Sequence, residues 1–379
     1  MTKIMLFQGR SVVNSSGGAE KVLCNMSNAL SSRGFEVLTV CDEFRKGTPF
    51  YKLDQNVRFC NLSARTGNLL KDAGTWLARR FIPASFRLRR FLEREKPDII
   101  VCFFVSDVYR IKFLQRVKTP IILMQHCYPD FYFQKMKRFN YRLNLFLLRN
   151  IAAIQVLLPG YVGQIRSRLP KANVVVIPNA VPAVKDEDVA RLNDPKYKLV
   201  YVSRMDPHQK RPHLLLEAFG RLAEDFPEWT VEFWGGGASE EYARKMEALV
   251  LRYNLVGRVV FMGTTDKIME VYKNADIFVI TSTFEGFPLA MTEAMSCGLP
   301  VVGFKTASAV NELVRDGRNG LLVDENIDAL AAGLRELMSS REKRVEYGSR
   351  AHEDMKAYAP DIIWNQWAEL VNQLLLKRF

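Results

Sequence analysis

Residues 277–300 read IFVITSTFEGFPLAMTEAMSCGLP. The opening Ile277-Phe-Val-Ile280 is a short apolar run of the kind that forms a strand covered on both faces. A polar loop carrying Glu285 follows, Pro288 suits the first helical position, and Cys297-Gly298-Leu-Pro300 closes the helix before the next apolar run. Strand, loop and helix repeated in that order build a parallel sheet with helices on its faces. The alternation extends in both directions. Strands are predicted at 3–7, 36–40, 57–60, 98–104, 120–125, 152–158 and 173–177, and again at 198–202, 230–234, 258–262, 276–281, 299–303 and 321–323. Between the two series lies a Pro/Asp/Glu-rich stretch from Pro178 to Asp194, the natural linker. The fold class is therefore α/β, with two doubly wound Rossmann-like domains at 1–180 and 181–360. A ligand held in a central cleft would face the loops of both. The tail 361–379 has apolar residues at helical spacing and predicts a terminal amphipathic helix, whose packing partner the sequence does not name.

Two domains also suit a chain of 379 residues with 48% apolar content. The longest apolar run, Ile99 to Val105, has seven residues, against the roughly 20 of a membrane-spanning helix. Lys3-Ile-Met-Leu-Phe7 followed by a Gly-bearing polar loop reads as a first buried strand rather than a leader. Six scattered cysteines without a CxxC pair, several inside apolar runs, point to reduced thiols, a cytoplasmic setting and no structural metal. The net charge of +13 is uneven: residues 1–180 hold 29 Lys+Arg against 11 Asp+Glu, and residues 181–379 hold 25 against 30. Such a basic amino-terminal half calls for an anionic partner: nucleic acid, an anionic membrane surface or a phosphorylated substrate. No RRM, KH or helix-turn-helix pattern accompanies the charge, which argues against nucleic acid.

Two segments carry chemistry. Glu285 and Glu293 lie eight residues apart, at most roughly 12 Å at about 1.5 Å per helical residue, a span comparable to that from hexose to ribose in a nucleotide-sugar. Carboxylates accept charge-assisted hydrogen bonds from sugar hydroxyls, and the helix start near Pro288 offers backbone N–H groups to phosphate. The same pair also reads as one surface and one helix-stabilising Glu. The second segment, Val200-Tyr-Val-Ser-Arg204-Met-Asp-Pro-His-Gln-Lys210-Arg-Pro212, is again strand, loop and helix. Its Arg204 and Lys210 can neutralise a diphosphate, one as a planar fork and one as a point charge; a solvated basic loop is the alternative.

These segments, in this order, resemble the retaining GT-B glycosyltransferases of family 4, whose carboxy-terminal domain carries an Arg and a Lys six residues apart and then an E-x7-E motif. The resemblance spans nearly the whole chain: Gly17-Gly18-Ala-Glu20, Val176-Ile-Pro-Asn179, Phe261-Met-Gly263, Tyr272-Lys-Asn-Ala-Asp276 and Gly317-Arg-Asn-Gly320 all take part. It implies that Arg204 and Lys210 hold the donor diphosphate, that Glu285 with the Gly286-Phe287 backbone holds the donor sugar, and that Glu293 holds the ribose. Gly18, with Gly17, would let the first loop approach phosphates or acceptor, and His126 would lie near the transferred sugar. His208 and His213 match nothing. Ser203, Ala180 and Trp234-Gly-Gly-Gly237 depart from the usual pattern and leave nucleobase and sugar open. The family needs no cofactor beyond its nucleotide-sugar and no divalent metal, the cations stabilising the departing diphosphate instead. Asp186-Glu-Asp188 imitates a metal-binding DxD but falls in the polar linker.

The resemblance thus implies a transferase moving a sugar, with UDP-sugar favoured over GDP-sugar, to a glycan or lipid-linked acceptor in surface polysaccharide, lipopolysaccharide or glycolipid synthesis. A noncatalytic nucleotide-sugar-binding or membrane-docked scaffold is the alternative, and the intact Arg204, Lys210, Glu285 and Glu293 favour the enzyme. Segments 79–92 and 131–142 mix arginine with aromatic residues. In the first, Ala84, Leu88, Phe91 and Leu92 share one helical face and Arg87, Arg90 and Arg94 another. This fits an interfacial helix on an anionic membrane, and so a peripheral protein on the inner face; it fits equally a core-packed helix with a solvated basic side.

Overall fold

A computed structural model describes residues 1–15, 17–45, 47–63, 84–114, 119–134, 138–190, 192 and 197–377. The chain divides into two compact units, Met1–Ala180 with Asp361–Phe379, and Val181–Pro360. Every predicted strand forms, with its ends within two residues of the expected positions.

The first unit holds a parallel sheet of β1 (Lys3–Phe7), β2 (Glu36–Cys41), β3 (Arg58–Asn61), β4 (Ile99–Cys102), β5 (Ile121–Met124), β6 (Ala153–Val156) and β7 (Val174–Val176) in the order β3-β2-β1-β4-β5-β6-β7. Its described helices include α1 (Gly18–Ser32), α2 (Ala84–Glu95), α3 (Val105–Leu114), α4 (Pro129–Gln134), α5 (Arg138–Leu148) and α6 (Gly160–Arg166). β1, β4, β5 and β6 are buried almost without interruption, the continuous apolar reading that a strand covered on both faces requires.

The second unit repeats the scheme with β8 (Tyr197–Val202), β9 (Trp229–Trp234), β10 (Val259–Gly263), β11 (Ile277–Ile280), β12 (Val301–Phe304) and β13 (Gly320–Val323), all parallel, in the order β10-β9-β8-β11-β12-β13. Its described α-helices are α7 (Pro212–Gly220), α8 (Glu240–Arg252), α9 (Ile268–Lys273), α10 (Leu289–Ser296), α11 (Val310–Leu313), α12 (Ile327–Ser339) and α13 (Arg341–Met355). Trp229 is fully buried and stacks on Tyr197 at 5.0 Å. The buried Arg344 lies over both rings, at 5.1 and 4.8 Å, and donates to the carbonyls of Leu337 and Met338. A buried guanidinium is tolerable there because π faces and carbonyls replace its water.

The last helix, α14 (Pro360–Leu376), buries Ile363, Trp364, Trp367, Leu370, Val371 and Leu374. From Asp361 onward it belongs to the first unit. Arg33, at the end of α1, donates to Asn365 Oδ1 at 2.8 Å and reaches Asp361 at 3.2 Å. Periodicity announces such a helix, and these contacts give it its place. Burial of each of its large apolar side chains contributes roughly 1.5–3 kcal/mol.

In both sheets the strand order reverses once, between β1 and β4 in the first unit and between β8 and β11 in the second. Adjacent loops then depart to opposite faces and leave a crevice outside the carboxyl ends of the strands, where ligands of such sheets bind. That rule selects the loops after β1 and β4, and those after β8 and β11.

Candidate functional site

In the second unit the loop after β8 carries Arg204 and Lys210, and the loop after β11 carries Glu285; the crevice rule and the motif reading meet at these residues. Lys210 Nζ lies 2.5 Å from Glu285 Oε1, with the two side chains 17% and 8% exposed. Arg204 is exposed and donates to Gln209 Oε1 at 3.4 Å, while Gln209 Nε2 donates to the Phe284 carbonyl at 3.3 Å. Asp206 shapes the loop: its Oδ1 accepts the N–H groups of Gln209 at 2.7 Å and His208 at 2.8 Å, and its carbonyl accepts those of Lys210 and Arg211. The Gln209 N–H above all holds the Asp206 carboxyl below its ordinary range. Thr283 ties the loops again, its N–H donating to Gln209 O at 2.8 Å and its hydroxyl to His208 O at 3.0 Å. Two cations and a carboxylate thus stand on one braced platform.

Glu293 is buried within α10. That helix begins at Leu289 with Pro288 as its cap, one position outside the expected first turn, so only the later part of the Glu285–Glu293 spacing is helical. Phe287 is buried with its ring 5.8 Å from Tyr358, which commits its side chain to packing; Gly286 beside it is half-buried. The triple glycine after β9 has a steric origin at its first member: a Cβ on Gly235 would sit 1.8 Å from the Ser203 carbonyl oxygen, directly before Arg204.

The crevice of the first unit is built differently. Gln8, after β1, is fully buried and donates to Glu20 Oε1 at 2.8 Å. Gly18 opens α1 and is exposed, with Gly17 as the cap. A Cβ on Gly17 would lie 2.2 Å from Glu20 Oε2, so the group for which Gly17 makes room is the chain's own carboxylate. Burial raises the Glu20 carboxyl. Glu43 Oε1 accepts the N–H groups of Val12 and Val13, and Asp107 Oδ1 accepts that of Gly9 at 3.2 Å. Asp107 is 3% exposed, its Oδ2 is buried without a hydrogen-bond partner, and burial pushes its carboxyl up to about 7.

His126 follows β5, one strand further along the sheet. Its ring stacks on Phe103 at 4.9 Å, its Nε2 is buried without a partner although part of the residue reaches solvent, and burial lowers it to about 4. The imidazole is neutral at pH 7 and offers an uncommitted ring nitrogen.

Two sequence readings change in detail. In α2, Leu88, Phe91 and Leu92 are buried, Arg87 pairs with Asp42 at 3.7 Å, and Arg89 and Arg94 pair with Glu93 and Glu95 at 3.0 Å each. Of the two readings of this helix, the core-packed one describes it; residues 79–83 lie outside the described residues. In the segment 131–142, residues 135–137 likewise lie outside them; α5 exposes Arg142 and Phe146 (62% exposed), and Arg149 just past its end is exposed as well. The Asp186-Glu-Asp188 stretch forms a short 3-10 turn strapped to the second unit: Asp186 accepts from His352 Nε2 at 2.9 Å and pairs with Lys356 at 3.2 Å, and Asp188 pairs with Lys273 at 3.2 Å. Among the described residues no three His, Cys, Asp or Glu side chains gather as a metal site, and no helix is long and apolar enough to cross a membrane. The bracing roles of Asp206, Gln209 and Thr283, and the buried acids Glu43 and Asp107, were absent from the sequence reading; turn-forming Asp206 two residues after Arg204 was the one available signal.

Comparison with known proteins bears on the fold and the family of the whole chain. Residues 16–184 match the family model described as Glycosyltransferase Family 4, and residues 184–354 match Glycosyl transferases group 1. The amylovoran biosynthesis glycosyltransferase AmsD of Erwinia amylovora is 23% identical over 374 residues, covering 95% of this chain and 97% of that protein. A Campylobacter jejuni alpha-1,4-N-acetyl-D-galactosaminyltransferase, whose name specifies a PP-undecaprenol-linked acceptor, is 25% identical over 369 residues, covering 95% and 96%. The structure of S. aureus TarM in complex with fondaparinux, alpha-GlcNAc-glycerol and UDP superimposes with a TM-score of 0.79 at 17% identity, covering 98% of this chain and 100% of that one.

Proposed function

Since the chain belongs to the family 4 (group 1) glycosyltransferases of GT-B fold, we propose that it is a retaining, metal-independent hexosyltransferase that takes a sugar from a UDP-sugar and gives it to a glycan or lipid-linked acceptor in bacterial surface polysaccharide, lipopolysaccharide or glycolipid synthesis. The observation that carries this reading is the braced pair of loops at the second unit's strand reversal, which sets Arg204 and Lys210 beside Glu285. In this reading Arg204 and Lys210 hold the diphosphate and stabilise its charge as the sugar leaves, which is the work a divalent cation performs elsewhere. Glu285 and the Gly286-Phe287 backbone hold the sugar, Glu293 the ribose, and Gly18 and the neutral His126 serve the reacting groups from the first unit. No cofactor beyond the nucleotide-sugar is required. The UDP bound by TarM and the undecaprenol-linked acceptor of the Campylobacter enzyme favour this donor and acceptor class.

A lipid-linked acceptor goes with peripheral attachment to the inner face of an anionic membrane. The described surface that suits it is α5 and the turn after it, where the exposed Phe146 is flanked by Arg142 and Arg149; each basic residue near such a surface contributes roughly 1 kcal/mol.

The test is calorimetry and turnover with UDP-, GDP- and ADP-sugars, with and without excess EDTA. UDP-sugar binding and EDTA-resistant transfer are expected. Transfer abolished by EDTA and restored by Mg or Mn overturns metal independence, and binding without turnover on lipid-linked and glycan acceptors turns the reading toward a scaffold. Flotation with phosphatidylglycerol vesicles at low salt tests attachment, which fails if the protein stays in the soluble fraction.

A further inference from the structure

The residue after Lys210 adopts a backbone conformation that L side chains disfavour. Arg211 has φ 54 and ψ 49, in the left-handed region, immediately before α7. Such a conformation persists where the surroundings over-determine it, and it clusters at functional loops. Here the surroundings are specific. Arg211 Nε donates to the Thr281 carbonyl at 3.0 Å, Nη1 donates to Glu325 Oε1 at 2.5 Å, and the guanidinium lies 5.3 Å from the centre of the Phe304 ring. Glu325 is itself held, its second oxygen accepting from the Thr306 hydroxyl at 2.5 Å.

Thr281 returns the contact. It is fully buried at the end of β11, and its hydroxyl is shared between the carbonyls of Lys210 at 2.8 Å and Arg211 at 2.9 Å. The Tyr201 phenol gives the Lys210 carbonyl a second hydrogen bond at 2.6 Å. Each loop therefore lends a side chain to the other's backbone, and the backbone so gripped is that of Lys210, whose ammonium meets Glu285.

We infer that Thr281 and Arg211 are positioning residues for Lys210: by clasping the two loops they fix the direction from which its ammonium meets the β-phosphate of a bound nucleoside diphosphate. This rests on the donor-site reading above. Neither residue needs to touch the donor; both act through Lys210. Without the clasp the loop still offers a lysine, but a long flexible side chain on a mobile backbone recovers less of a charge-assisted contact.

The experiment measures the gain in affinity from the second phosphate, the ratio of UMP to UDP dissociation constants by calorimetry, with GMP and GDP as a second pair. It compares the wild type with Lys210→Ala, Thr281→Val, Thr281→Ser and Arg211→Gly. In Lys210→Ala the ratio is expected to fall about tenfold or more, as loss of one charge-assisted hydrogen bond implies. In Thr281→Val and Arg211→Gly it falls by about as much while UMP affinity stays within about twofold, and Thr281→Ser restores it. A purely structural role would weaken UMP and UDP alike and leave the ratio unchanged. Glycine accepts the left-handed turn without strain, so Arg211→Gly carries the test should Thr281→Val fail to fold. The inference is overturned if both clasp variants keep the wild-type ratio while Lys210→Ala loses it. If the wild type binds neither diphosphate more tightly than its monophosphate, the donor-site reading falls, and the clasp inference with it.

Discussion

The two units share a strand order and a crevice, and use charge in opposite ways. In the second unit the crevice loops carry a solvent-exposed Arg204 and a half-buried, ion-paired Lys210, and the surrounding polar groups brace these charges. In the first unit the equivalent loops enclose Glu20, Glu43 and Asp107, which hold backbone N–H groups and a glutamine in place. Topology decides where a ligand can lie; burial decides whether the charges there greet it or serve the loop.

The largest effect expected from breaking this contrast is on the exposed side. Lys210→Ala should lower transfer by roughly 10²- to 10³-fold, the loss usual for one group that stabilises developing charge. It should also lower Tm by about 3–6 °C, because Glu285 is left buried without its cation. Arg204→Ala should cost transfer about tenfold less and leave Tm unchanged, since Arg204 is exposed. Equal Tm losses in the two variants would show that Lys210 and Arg204 do not differ in burial as described.

The buried side predicts a pH signature with two opposing slopes. Asp107 has a folded value of about 7 against 3.8 unfolded, so the folded state binds the extra proton and stability falls as pH rises from about 4 to 7. His126 has a folded value of about 4 against 6.5, so the unfolded state binds the extra proton and stability falls as pH drops from about 6.5 to 4. The two contributions, about 4 and about 3 kcal/mol at about 1.4 kcal/mol per pH unit, largely cancel. Denaturant unfolding at pH 4.5 and 7 should therefore show Asp107→Asn losing stability on acidification and His126→Phe gaining it. Parallel pH profiles for wild type and both variants would contradict the burial of these groups.

The smallest effect concerns the ion pair itself. Glu285→Gln removes the charge that competes with a diphosphate for Lys210, so UDP affinity should rise about threefold by calorimetry. A fall in affinity would mean that Glu285 serves to hold Lys210 in reach of phosphate.

Most strands were legible because they are short apolar runs between turn residues, and burial on both faces leaves runs such as Ile99–Cys102 and Ile277–Ile280 nearly pure. The strand-loop-helix segments of Arg204 and Glu285 were legible for the same reason, as strand ends place loops. Contacts at long separation were not. The Lys210–Glu285 pair and the Thr281–Arg211 clasp join residues about 70 positions apart, and periodicity says nothing about which loop meets which. The α2 helix shows the same limit: its arginine face reads as an open basic surface until Asp42, from another part of the chain, is seen to pair with Arg87.

The return of α14 to the first unit bears on how the chain is made. The first unit's share of the sequence breaks off at Ala180 and resumes at Asp361. At about 5–20 residues per second, roughly 10–40 s separate these points during synthesis. For that interval the surface destined for Trp364, Trp367 and Val371 stays uncovered, while the second unit emerges as one uninterrupted stretch. The usual order, in which the amino-terminal domain matures first, is therefore reversed: the later-made unit can close on itself before the earlier one receives its last helix.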